Sequence, residues 1–204
     1  MASGPTVDWT KLLGTSGSNY ADALTTGADG AVYLAGGTQG NLDGQTSNGG
    51  TDAFITKYNP DGTKVWTRLP GTSIDDSASA LTTGTDGAVY LAGGTIGNLD
   101  GQVNQGAYDS FITKYNPDGT KSWSKLFGGA DFDAAQALTI GADGEIYVAG
   151  YTTGNLNGQT NNGISDAFLI KLTDTPNLSF SGNYGTVSHV VNEPNDWLCK
   201  EGNS

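Results

Sequence analysis

Asp52-Ala-Phe-Ile-Thr-Lys-Tyr-Asn-Pro-Asp-Gly-Thr-Lys-Val-Trp-Thr-Arg-Leu69 reads as strand, tight turn, strand. The turn is Asn59-Pro60-Asp61-Gly62, with proline where a φ near −65° is wanted and glycine last. The stretch returns almost letter for letter at 109–126. Its first half returns at Asp166–Leu172, and its second half already stands at Val7–Leu12. Trp9, Trp66 and Trp123 are therefore 57 residues apart, as are Asp29, Asp86 and Asp143, and Phe54, Phe111 and Phe168. A fixed period of this size without insertions marks a solenoid, a propeller or an array.

Each unit carries four strand signals. Strand a is Ala23–Thr26 and strand b is Ala31–Ala35, joined by the Asp29-Gly30 turn. A long polar loop, 36–51, leads to strand c at Ala53–Tyr58, and strand d is Thr63–Leu69. Four antiparallel strands per repeat make a β-propeller blade. The chain divides into an N-terminal strand d (1–13), blade 1 (14–70), blade 2 (71–127), blade 3 (128–183) and a non-repeating tail (184–204).

Composition agrees with short strands and many turns. Glycine makes up 32 of 204 residues, about twice the average share. The formal charge of −12 opposes binding to nucleic acid or anionic membranes, both of which are held through Lys and Arg. No apolar run reaches the length of a membrane helix, and the first residues lack the basic and apolar regions of a signal peptide. Cys199 is the sole cysteine, so no intrachain disulfide forms and the redox compartment stays open.

The run from Asp52 to Trp66, followed by Ala80-Leu-Thr-Thr-Gly-Thr-Asp-Gly-Ala-Val-Tyr-Leu-Ala-Gly-Gly-Thr95, resembles the bacterial SBBP repeat, and Gly97-Asn-Leu-Asp-Gly-Gln102 is similar to cyanobacterial copies. The resemblance covers about residues 7–172. It implies a propeller in a large secreted or cell-surface protein, and it supplies no catalytic residues. Copy number departs from the family: three repeats stand here, not seven.

Three blades are too few for a ring with ordinary packing. Val7–Leu12 is a strand d without its own a, b and c, whereas blade 3 has a, b and c from Ala137 to Leu172. The expectation is exchange of that strand between two copies, giving a six-bladed homodimer. Phe180 stands 57 residues after Trp123 and competes for the same slot. The other alternative is that the chain is a fragment or open array.

The b–c and d–a links share one rim and are long and polar, so that face is the expected binding face. It gathers Asn41, Asp43 and Gln45; Asn98, Asp100 and Gln102; Asn155 and Gln159; and Asp76 and Asp133 from the d–a links. Such a set suits sugar hydroxyls, as in a lectin-like module, and its oxygens suit Ca²⁺, though no unit has EF-hand spacing. The same residues also cap turns. No cofactor is expected. Tyr20 and Tyr108 stand in the polar links outside the repeat and add candidate ligand contacts. Trp66 and Trp123 suit blade packing, and Lys57, Lys114 and Lys171 suit a solvated or snorkelling face. A hydrolase would have to be built on His189, the sole histidine. The reading is a non-enzymatic binding or assembly scaffold, with a lectin-like module and a His189 hydrolase as alternatives.

Overall fold

The structure is a computed structural model that describes residues 4–174. Chain contacts divide it into Met1–Thr173 and Asp174–Ser204. Phe180, His189 and Cys199 of the tail lie outside the described residues.

The described chain is an all-β, propeller-type stack of three antiparallel sheets. Blade 1 consists of β1 (Asn19–Thr26), β2 (Val32–Thr38), β3 (Asp52–Tyr58) and β4 (Lys64–Arg68), in that spatial order. Blade 2 repeats it with β5 (Asp76–Thr83), β6 (Val89–Thr95), β7 (Asp109–Tyr115) and β8 (Lys121–Phe127). Blade 3 has β9 (Asp133–Ile140), β10 (Ile146–Thr152) and β11 (Asp166–Leu172), and no fourth strand among the described residues.

Strands a and b are longer than the sequence suggests, and a bulge is the reason. The pairing of β5 with β6 skips Ser79, between Ala78 and Ala80, and the same skip falls at Asp22 and Gln136 in the other blades. An extra residue kinks one strand toward its partner. The partner is glycine each time: a Cβ on Gly36, Gly93 or Gly150 would strike the carbonyl of Tyr20, Ser77 or Ala134. The Gly-Gly pairs that read as loop are strand residues chosen for that close approach.

Two apolar seams hold the blades together. Between blades 1 and 2, Tyr33, Ile55 and Trp66 meet Leu81, Leu91, Phe111 and Tyr115. Trp66 stands between the rings of Tyr33 (5.9 Å) and Tyr115 (6.2 Å), and its indole N–H donates to Pro117 O at 3.1 Å in the next blade. Between blades 2 and 3, Tyr90, Ala92 and Ile112 meet Ile146 and Val148, with Trp123, Phe127 and Phe168 alongside.

Lys57 and Lys114 depart from the expected solvated face, whereas Lys171 in blade 3 keeps it, half exposed beside Asp143. Lys57 is only 7% exposed. Its ammonium sits 3.2 Å from Asp29 and over the Tyr33 ring, and it donates to Pro117 O at 3.4 Å. Lys114 repeats the ion pair with Asp86 at 3.0 Å and the contact with Tyr90. Lys57 is buried because the a–b turn brings Asp29 onto it while the next blade's c–d turn closes the other side. The Asp-Gly turns thus supply a counter-charge as well as a change of direction.

Residues 7–12 also differ from expectation, as no strand is assigned there. A strand needs a neighbour, and among the described residues no strand lies beside this segment. Its side chains nevertheless keep the seam geometry. Trp9 Nε1 donates to Pro60 O at 3.2 Å, and Trp9 and Lys11 lie over Gly62 as Trp66 and Arg68 lie over Gly119. The segment occupies the place of a preceding blade's strand d against blade 1.

Candidate functional site

The b–c loops are more ordered than a long polar linker. Asp43 and Gly44 both have positive φ (52° and 76°), as a two-residue type I′ hairpin requires. Leu42 and Gln45 exchange both backbone hydrogen bonds, at 3.1 and 2.8 Å. The same turn recurs at Leu99–Gln102 and Leu156–Gln159, and each leucine is buried as an anchor. Asn41, Asn98 and Asn155 each accept a backbone N–H six residues on, from Ser47, Asn104 and Asn161, at 2.9 Å.

In blades 1 and 2 these hairpins fold down onto strand d of their own blade. Asp43 takes the Lys64 ammonium and the Thr67 hydroxyl, and Asp100 takes Lys121 with both oxygens at 2.6 Å. Gln102 donates to Ser124 O at 2.9 Å and accepts from Leu126 N at 3.0 Å. Asn157 stands where blades 1 and 2 carry these aspartates. Most loop residues selected by their chemistry therefore have partners inside the blade.

Burial pushes the Asp43 and Asp100 carboxyls up, but hydrogen bonds from Lys64 and Thr67, and from Lys121 and Ser124, leave both below the ordinary carboxylate value. A folded-state value below the unfolded one contributes stability that is present above the unfolded carboxylate range, about pH 4, and is lost as pH falls through the folded value. Asp100→Asn is expected to destabilise at pH 6, with the gap from the unsubstituted chain narrowing as pH falls below about 4 in urea unfolding. A gap constant across that range would show that the ion pair contributes nothing.

Asp76 and Asp133 are buried at the starts of β5 and β9. Each lies beside the aspartate that opens strand c of the previous blade, Asp52 or Asp109, because Asp76 N donates to Thr51 O and Asp133 N to Tyr108 O, both at 2.7 Å. The sequence places Asp76 and Asp133 on the binding face but does not pair them with Asp52 and Asp109, since the partners come from different blades.

An aromatic cluster on the same rim comes from non-equivalent positions. Tyr20 covers Gly37 in blade 1, Tyr108 covers Gly94 in blade 2, and blade 3 carries Tyr151 at the matching position. Tyr108 stacks on Phe132 (4.6 Å, 8°), and Phe132 on Tyr151 (5.8 Å, 18°). The Tyr108 hydroxyl lies 2.6 Å from Ser77 Oγ, and burial raises its pKa. Tyr20 is raised by burial and by Asp22 and Asp75. The Tyr108 and Phe132 faces are taken up by each other, by Tyr151 and by the strand below.

Among the described residues, no group of three or more His, Cys, Asp or Glu is placed to hold a metal, and the sole histidine lies outside them.

A repeated four-stranded unit with tryptophan-locked seams defines the β-propeller class. A family model described as a β-propeller domain of unknown function (DUF5122) matches residues 141–165, which span β10 and the b–c loop of blade 3. The chain is similar to "Regulatory protein FlaEY" of Caulobacter vibrioides, 32% identical over 185 residues, covering 80% of this chain and 19% of the relative. It is also similar to an uncharacterized WD repeat-containing protein, L264, of Acanthamoeba polyphaga mimivirus, 26% identical over 140 residues, covering 54% of this chain and 10% of that one. The chain thus spans a fifth or less of these relatives. Among solved structures, a protein of unknown function from Bacteroides caccae aligns with TM-score 0.30 and 12% identity over 63% of this chain and 52% of that one.

Proposed function

We propose that this chain is a non-enzymatic assembly and binding scaffold whose two outer blades are completed by a second copy. The carrying observation is that the outer blade faces are half-seams. Leu169 is 73% exposed, where its counterparts Ile55 and Ile112 are fully buried, and Leu24 is 66% exposed, where Leu81 is 9% exposed. Exposed leucines at positions that interior blades bury suit a blade-to-blade contact.

The missing strand has a candidate of fitting sequence. Carried from the β7–β8 register, residues 7–12 of a second copy pair with β11 so that Leu12 faces Phe168, Thr10 faces Ile170, Trp9 faces Lys171 and Val7 faces Leu172. Trp9 would then stand beside Tyr147 as Trp66 stands beside Tyr33. Two copies joined in this way form a six-bladed ring. The SBBP-like repeat favours a cell-surface or extracellular setting for the scaffold.

Light scattering tests the reading. The full chain is expected at twice its own mass, with Leu169→Asp and deletion of residues 1–13 each shifting it to monomer. A monomeric full chain, or a dimer that both changes leave intact, would overturn it.

A further inference from the structure

The four buried aspartates at the blade seams are an unusual arrangement of charge. Asp52 Oδ2 accepts from Asn48 N at 2.8 Å, and Asp109 Oδ2 from Gln105 N at 2.7 Å. Asp76 Oδ2 accepts from Thr72 N at 2.6 Å and Thr72 Oγ1 at 3.1 Å, and Asp133 Oδ2 from Gly129 N at 2.6 Å. The other oxygen, Oδ1, of all four is buried and has no hydrogen-bond partner. The Thr95 hydroxyl adjoins Asp76 and favours its ionised form, but it is directed onto Gly97 O at 3.3 Å. A buried carboxylate oxygen without a donor or cation is costly, and here the cost occurs four times at positions related by the repeat.

A glycine lies against each pair. Asp52 Oδ1 lies directly against Gly71, where an added Cβ would strike it, and the same Cβ would stand 3.1 Å from Asp76 Oδ2, so the two carboxylates meet at this glycine. Gly128 is its equivalent, and a Cβ there would strike Asp109 Oδ1. The two members of each pair repel one another: Asp52 raises Asp76, and Asp133 raises Asp109, in both cases on top of burial.

We propose that each seam binds one hard divalent cation of the calcium type, held by Asp52 and Asp76 at the first seam and by Asp109 and Asp133 at the second. Two carboxylates neutralise a dication, and oxygen-only ligands with water completing the shell are what calcium takes. The cation joins strand c of one blade to strand a of the next, and so acts as a rivet between blades. Blade 1 carries Asn19 in place of Asp76, so the position accepts an amide.

The test is calcium titration of the EDTA-treated full chain by calorimetry, with thermal unfolding alongside. Two calcium ions per chain and a calcium-dependent rise in Tm are expected. Asp76→Asn and Asp133→Asn should each reduce the stoichiometry from two to one, while in EDTA both variants unfold at or above the Tm of the unsubstituted chain because a buried charge has gone. Absence of binding, or two ions bound by both variants, would overturn the assignment. A Tm that rises on acidification from pH 7 to 5 with no response to calcium would also overturn it, and would assign each pair a shared proton.

Discussion

Phe111→Ala is expected to lower the unfolding free energy by about 3–5 kcal/mol, the range for removing a buried aromatic side chain and leaving a cavity. Phe111 has no exposed surface and sits in the core between blades 1 and 2. Rigid sheets line it on both sides, so the cavity cannot collapse without moving a whole blade. Phe168, its counterpart in blade 3, is only partly buried and packs edge-on against Phe127 at 6.4 Å. Phe168→Ala should cost less, because water already reaches that side of the blade. Urea unfolding of the two variants checks the order. Equal losses would mean that the first seam contributes nothing beyond what a single blade provides.

Gly93→Ala is expected to cost about 3 kcal/mol, at the upper end of overpacking changes. The added methyl would strike the Ser77 carbonyl and stand 3.0 Å from the Phe111 ring. The carbonyl cannot move, because its position is set by the bulge at Ser79, whose hydroxyl donates to Ala135 O at 2.6 Å in the next blade. Ala92→Gly, one residue away, is the control: it loses a buried methyl without adding a clash and should cost about 1 kcal/mol. If Gly93→Ala proved as mild as Ala92→Gly, the bulge would be soft and the glycine conserved between units by copying alone.

The repeat made the strand count and hairpin turns legible, because both depend on local chemistry. β3 and β7 begin one residue ahead of the strand c expected from their apolar run. What stayed hidden depends on contacts between units. Gly36 and Gly37 read as loop because the reason for glycine lies in the facing strand. Lys57 reads as surface because its burial comes from Asp29 and from a turn in another blade. The Asp43-Gly44 hairpin carries the same Asp-Gly signal as the a–b turn, but in the sequence its polar residues read as ligand chemistry. The Tyr108–Phe132–Tyr151 stack could not be read at all, because its members do not share a repeat position.

The two outer blade faces are not alike. One presents Leu24 and the Trp9 segment, and the other presents Leu169, Tyr147 and Lys171. The unit therefore has a direction, and in the proposed assembly copies join head to tail. Whether such joining stops at a closed particle depends on the angle turned per blade, since a heterologous contact that fails to close grows into a fibre. Substitutions that alter blade twist, far from either end, would then be felt as a change from discrete particles to polymer.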